Sequence, residues 1–185
     1  AGNVYANDLF APKAKTGGSF SFHIDIPKFP EVPEVPPDVD HFLVPPKTRM
    51  TLEGSPNRVE VGKGATLILP GGEFAIEELK MGDHSNLLAG APSRLIISRA
   101  LQTGHHAYIG PSLDGIQQLN LQIEVAGRDV NGFPRAMIGR HSKIRAAVSV
   151  PNGTLVIKDH VLASGAFFGK SVDVGELSLI HISEP

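Results

Sequence analysis

Histidines that recur at one position of a repeated segment are the residues of this chain best placed to carry chemistry. The repeated segment places His84, His141 and His160 at equivalent turn positions, and either His105 or His106 takes that position in another copy. If the copies stack on one another, equivalent turn residues stack as well. The sequence therefore predicts a file of four imidazole rings along one edge of the protein.

Such a file has two chemical interpretations. Imidazoles are ligands for Zn²⁺ or Cu²⁺, and Asp83 and Asp159 lie beside two of the histidines. Ligands in one straight file do not readily surround a metal as a tetrahedron, whereas stacked polar rows such as Asn ladders are a known structural device. We therefore predict no cofactor and a structural turn ladder, with a metal site as the alternative, at His84, His105 (or His106), His141 and His160.

Two kinds of enzyme deserve comparison with this pattern. In left-handed β-helical acyltransferases, which have a six-residue period, a histidine acts as general base toward a substrate hydroxyl. A polysaccharide lyase or hydrolase would need clustered carboxylates on one strand face, and only Glu124 and the pair Glu77 and Glu78 lie in predicted strands. The acyltransferase therefore stays as the alternative to a protein without catalysis.

Composition limits the classes of protein that fit. The chain has 185 residues, 41% of them hydrophobic, and 17 Lys and Arg against 19 Asp and Glu. This charge balance argues against nucleic-acid binding, and no apolar run reaches the roughly 18 residues of a transmembrane helix. The 20 Gly and 15 Pro residues favour short strands and turns over helices.

A repeat of about 20 residues runs through the chain from about residue 56. Its markers stand at positions 62, 82, 102, 139, 158 and 175, so four of the five gaps measure 17 to 20 residues. The long gap contains turn signals at 114–115 and 128–134. Short strands with this period are typical of a parallel β-solenoid, in which coils stack about 4.8 Å apart. We predict an all-β, single-stranded parallel β-helix with about 17–20 residues per coil.

A second rhythm, of six residues, accompanies the later copies. Apolar residues recur at this interval from residue 138 to residue 174. Inward-pointing aliphatic residues of successive coils form columns. The interval therefore predicts a core column of Ile138, Ile144, Val150, Val156, Leu162, Phe168 and Val174.

The ends of the chain differ from its repetitive part. Prolines recur every third residue from Pro27 to Pro36, which is typical of polyproline II and indicates an extended connector. The last nine residues are similar to a translated sequencing adaptor, and they are excluded from the predicted fold. The predicted organisation is a β segment of the solenoid (1–22), a proline-rich connector (23–55), the solenoid coils (56–176) and the adaptor-like tail (177–185).

Several segments resemble known proteins. Residues 80–110 and 136–175, with Pro151–Ile157 and Ala163–Gly175 above all, resemble β-solenoid segments of bacterial surface or pilus-assembly-associated proteins. More distantly the pattern is similar to the bactofilins, and Gly2–Leu9 resembles the segment at Gly165. The resemblance implies a right-handed β-helix, an extracellular or cell-envelope location and a scaffold role without catalytic residues.

These observations lead to one functional expectation and one alternative. We expect a non-catalytic structural or interaction scaffold of the bacterial cell envelope or surface, with protein partners or self-assembly. Nucleic acid and a small-molecule substrate are not expected as partners. The alternative is a hexapeptide-repeat-like acyltransferase on a left-handed β-helix, in which one of the histidines acts as the base.

Overall fold

The computed structural model describes residues 5–10, 41–112, 121–131 and 133–182. These residues form sixteen β-strands and no helix, so none of them lies in a helix long and apolar enough to cross a membrane. The strands are β1 (Tyr5–Phe10), β2 (His41–Val44), β3 (Arg49–Thr51), β4 (Arg58–Val61), β5 (Thr66–Leu69), β6 (Gly72–Met81), β7 (Asn86–Ala89), β8 (Ser93–Thr103), β9 (Tyr108–Pro111), β10 (Leu121–Val125), β11 (Ala136–Ile138), β12 (Lys143–Arg145), β13 (Ala147–Ile157), β14 (Leu162–Gly165), β15 (Phe167–Val174) and β16 (Leu179–Ile182).

The strands belong to two sheets that the chain visits alternately. The nine-stranded sheet has the order β1-β15-β13-β10-β8-β6-β4-β2, with β11 beside β8 and β13, and the seven-stranded sheet has the order β16-β14-β12-β9-β7-β5-β3. All pairings within both sheets are parallel. The alternation confirms the predicted all-β parallel solenoid, because each return to a sheet adds one strand to it.

The register of the strands gives the length of each coil. His41 pairs with Arg58 and Arg58 with Glu78, so the first two coils take 17 and 20 residues. Tyr108 pairs with Lys143, 35 residues later, because this coil carries an insertion. Part of the insertion, at 113–120, lies outside the described residues. Its other part, residues 126–135, lies between β10 and β11, where the sequence predicted surplus turns.

The core lies between the two sheets and is made of columns that run through successive coils. Strand residues alternate between the core and the outer face. Leu79 pairs in register with Leu101, and Leu155 pairs with Val172 farther along the same column. Buried members of this column are Val59, Leu79, Leu101, Ala136, Leu155 and Val172.

The six-residue core column is only partly correct. Ile138, Ile144 and Val150 are buried in the core, and Val174 packs against it, but Leu162 is 51% exposed and Phe168 is 43% exposed. Val156 is buried outside the core cluster, because its neighbours Leu155 and Ile157 take the inward positions. A six-residue interval does not persist because strands alternate every two residues and the turns that separate them shift the phase.

Solenoid strands also occur in two segments that were predicted to lie outside the coils. β2 and β3 already belong to the first coil, although they fall within the segment 23–55 that was predicted to be a connector; the prolines of 27–36 lie outside the described residues. β1 pairs with β15 at the other end of the nine-stranded sheet. β16, within the tail excluded from the predicted fold, pairs with β14.

Candidate functional site

One corner of each coil is a tight turn with the same backbone conformation. The second turn residue has a positive φ of 56° at His84, 55° at His106, 56° at His141 and 60° at His160. A left-handed conformation is unfavourable for most side chains, and His is among the residues enriched there. The equivalent residues of the other coils also have positive φ and are Lys47, Gly64 and Leu177.

The four histidine rings at this corner stack on one another. The ring centroids of His84 and His106 are 4.7 Å apart, with an interplanar angle of 3°. His106 and His141 are separated by 4.9 Å, and His141 and His160 by 4.7 Å. These distances match the spacing of about 4.8 Å between neighbouring parallel strands, so the stacking of the coils sets the separation of the rings. We call these four residues the histidine ladder.

The structure decides which histidine of the His105–His106 pair belongs to the ladder. His106 has the positive φ and stacks between His84 and His141. His105 is the first residue of its turn, and its backbone N–H donates a hydrogen bond of 2.9 Å to Asp83 Oδ1. The ladder therefore contains His106 and not His105. The sequence had left both open, with His105 as the first choice, because the spacing of the repeat does not distinguish two adjacent turn residues.

Backbone hydrogen bonds link the same turns. The N–H of His84 donates to the carbonyl of His105 over 2.8 Å, and the N–H of His106 donates to the carbonyl of Arg140 over 2.9 Å. The pattern continues from His141 to Asp159 over 3.1 Å. His84, His106 and His141 thus each join their coil to the next through the main chain as well as through the ring.

The residue after the ladder position makes a further contribution that sequence reasoning missed. Ser85 is fully buried, and its hydroxyl donates to the carbonyl of Gly82 over 2.7 Å. Ser142 is also buried, and its hydroxyl accepts a hydrogen bond from the N–H of Ala107 over 3.1 Å. The sequence did contain a signal for these hydroxyls, because a serine directly follows the turn histidine at both 84–85 and 141–142. A buried serine there can form hydrogen bonds with the backbone groups of the turn.

The electrostatics of the corner follow from these contacts. Contact with neighbouring groups removes water from the ring of His141 and lowers its pKa, and positive charge on His160 and His106 lowers it further. The hydrogen bond from the backbone of His105 lowers the pKa of Asp83. No group of three or more His, Asp or Glu side chains within the described part of the chain has an arrangement that could hold a metal ion.

Two of the three carboxylates considered for a hydrolase, Glu124 and Glu78, lie beside cations. Arg94 Nε and Nη2 donate to the two carboxylate oxygens of Glu124 over 3.0 and 2.9 Å, and Nη1 donates to Glu73 over 2.9 Å. These three residues belong to successive strands of the nine-stranded sheet, so Arg94 joins three coils. Its two carboxylate partners raise the pKa of Arg94. Glu78 lies 3.8 Å from Arg58.

Comparison with known proteins adds no name to this geometry. No family model, curated protein or solved structure gives a significant match to the chain. The resemblance to bacterial surface proteins and bactofilins therefore rests on the sequence motifs alone and stays a prediction.

We expect His141 to make the stability of the protein depend on pH. Because the pKa of His141 is lowered in the folded state, the unfolded chain binds more protons than the folded protein as the pH falls below about 6.5. We expect the melting temperature to fall between pH 7 and pH 5, measured by calorimetry at constant ionic strength. The pKa of Asp83 is also lowered, so the stabilisation that its carboxylate provides is lost only when the pH falls to about the ordinary Asp pKa of 3.8 and below. That pH lies outside the range of the measurement.

The matched control is His141→Asn, because Asn also tolerates a positive φ and does not titrate. The variant should lose less of its melting temperature between pH 7 and pH 5 than the original protein. The groups that surround His141 and remain titratable or charged in the variant are His84, His105, His106, His160, Asp83, Asp159 and Arg140. Equal losses in both proteins would contradict the assignment to His141.

Proposed function

We propose that this protein is a non-catalytic structural or interaction scaffold of the bacterial cell envelope or surface. The observation that carries the proposal is the histidine ladder, in which residues capable of acid–base chemistry are stacked on one another between coils. An imidazole acts as a base through the nitrogens at the edge of its ring, so stacking alone does not prevent catalysis. The stack supports a structural use instead, because each ring packs against the next at the spacing of the coils.

Other polar side chains make the same kind of contact between coils. The carboxylate of Asp129 accepts hydrogen bonds from the N–H and the hydroxyl of Thr154, over 3.0 and 2.6 Å. Arg140 Nε lies 3.1 Å from Asp159 Oδ2. Together with Arg94 and its two glutamates, these contacts support a role in which polar groups tie the coils together.

A continuous core supports the scaffold as well. In a solenoid each coil contacts only its neighbours, so extension adds outer surface without changing the packing. The two parallel sheets of this chain supply such extended outer faces. The envelope or surface location comes from the sequence resemblance, and the structure contributes only a shape that suits it.

One contact favours the acyltransferase alternative. His41 Nε2 lies 3.4 Å from Glu60 Oε2, and both side chains are about half exposed. A carboxylate that orients a histidine is a common feature of general-base catalysis. His41 is therefore the residue on which the catalytic alternative is best tested.

The experiment has two readouts on the full-length protein. With acetyl-CoA and a panel of hydroxyl and amine acceptors, the scaffold predicts no CoA release above the rate without protein. The chain contains no Cys, so a thiol reagent detects only the CoA. On intact cells that produce the protein, a membrane-impermeant amine reagent should label it, because lysines such as Lys63 and Lys80 are exposed.

Each readout has an outcome that contradicts one part of the proposal. CoA release that disappears in His41→Ala, but persists in a variant of an exposed residue far from it such as Lys170→Ala, would assign an acyltransferase. Labelling that requires cell lysis would contradict the envelope or surface location.

A further inference from the structure

A groove runs beside the corner of the coils, where three successive coils carry a stripe of glycines just before the turn, Gly82, Gly104 and Gly139. A Cβ atom added to Gly82 would lie 2.9 Å from the backbone N of Lys63, and one added to Gly104 would lie 2.7 Å from the backbone N of Asp83. At Gly139 it would overlap the carbonyl of Gly104. The stripe therefore carries no side chains through three coils and forms the floor of a groove of about 650 Å³.

The two walls of the groove come from different parts of the coil. One wall consists of three outer-face residues on neighbouring strands: Lys80 pairs in register with Gln102, and Gln102 pairs with Met137. First turn residues, including His105 and Arg140, form the other wall. The groove thus crosses several coils, and its direction is that of the solenoid axis.

The charges along the groove are mostly positive. Lys63, Lys80 and Lys158 line the groove. Within the described residues, no carboxylate lies close enough to any of these three amino groups, 4.0 Å or less, to form an ion pair. Arg140 also lines the groove and pairs with Asp159. The one carboxylate in the lining, Asp83, accepts a hydrogen bond from the main chain of His105. This concentration of cations stands out in a chain whose net charge is −2.

We propose that the groove binds a linear acidic polysaccharide that lies along the solenoid axis. Coils repeat about every 4.8 Å, so cations on different coils lie at separate points along the groove. A linear polysaccharide likewise carries its carboxylates or sulfates at separate points along its length. Lys is a flexible point charge that suits such groups, and the amide of Gln102 can both donate and accept hydrogen bonds with hydroxyl groups. The binding does not require the scaffold role, because the stacking of the coils itself forms the groove.

Other polyanions fit the groove less well. Among the described residues the groove lining contains no Phe, Tyr or Trp, and His105 is its one aromatic ring, so a single-stranded nucleic acid would lack most of its usual stacking contacts. A duplex is disfavoured by the negative net charge. An acidic peptide that adds a strand needs an open sheet edge, whereas this groove lies on the outer face.

Opposite substitutions at Gln102 give the sharpest test, because this exposed residue stands at the centre of one wall. Binding to fluorescent polygalacturonate and to heparin is measured at low and at physiological salt, with neutral dextran as a blank. An exposed ion pair changes affinity by up to about fivefold. Gln102→Arg should therefore tighten binding by roughly two- to fivefold, and Gln102→Glu should weaken it by a similar factor.

A triple variant tests the lysines, with a control of equal charge. Lys63→Gln, Lys80→Gln and Lys158→Gln together should weaken binding roughly ten- to a hundredfold, from three such contacts. The control replaces Arg49, Lys143 and Lys170 by Gln, which are exposed residues outside the groove, and it should keep the original affinity. Thermal melts of both variants establish that they are folded.

The proposal fails under several results. If polygalacturonate and heparin both fail to bind at low salt, the proposal is wrong. Equal losses of affinity in the two triple variants would also overturn it. Binding of duplex DNA or polyglutamate as tight as that of the polysaccharides would assign a nonspecific or different polyanion. A shift of the same sign in Gln102→Arg and Gln102→Glu would exclude the groove as the place of binding.

Discussion

Ile144→Asp should unfold or aggregate the protein, whereas Leu162→Asp should leave it folded. Both residues belong to the six-residue apolar series, but Ile144 is completely buried and Leu162 is 51% exposed. Burial of an Ile side chain stabilises a protein by about 1.5–3 kcal/mol, and an unpaired buried charge costs several kcal/mol more. The sum is comparable to the total stability of an ordinary domain, about 5–15 kcal/mol.

Leu162→Asp is the matched control because it makes the same kind of change in the neighbouring strand. Leu162 pairs in register with Lys143, so the new carboxylate would stand close to a cation and in water. We expect its free energy of unfolding to change by less than about 1 kcal/mol. Solubility, circular dichroism and urea unfolding measure both variants. If both of them unfold, the six-residue column is correct and the burial described here is wrong.

Gly139→Ala should destabilise the protein by about 3 kcal/mol or more, because its new methyl group would meet the main chain of the preceding coil. The backbone N–H of Gly139 also donates to Thr103 Oγ1 over 2.8 Å, so the two coils cannot separate without losing this hydrogen bond. For a chain of this length, a destabilisation of about 3 kcal/mol corresponds to a fall in melting temperature of roughly 6–12 °C.

Gly54→Ala separates this steric effect from the general cost of replacing glycine. Gly54 has a φ of +69°, but a Cβ atom there would meet nothing within 4 Å. Only the backbone strain of about 1 kcal/mol remains, equivalent to a fall of roughly 2–4 °C. Equal falls in the two variants would show that close contact between coils does not require glycine at residue 139.

The fold class was predictable from the sequence because a solenoid is built from a local pattern. Short apolar strands, glycine-containing turns and a period near 20 residues are properties of one coil. When every coil follows them, the next coil has only one way to bury its apolar face. The file of His84, His141 and His160 was predictable for the same reason, since equivalent turn positions stack.

The choice between His105 and His106 required the three-dimensional structure. The ladder position is defined by a positive φ, and two adjacent histidines have the same intrinsic tolerance for it. The exposure of Leu162 and Phe168 was equally hidden, because the phase of each strand depends on how many residues the preceding turn takes up.

The sequence by itself determined the coil, its period and the corner on which the histidines lie, since these follow from interactions within about 20 residues. Only the tertiary structure decided the contacts between coils. The basic groove joins Lys63 to Lys158, and β1 lies beside β15, although these pairs are far apart in the chain. Such contacts depend on the cumulative register of every coil in between, and the insertion around residues 113–135 changes that register by an amount that no local pattern encodes.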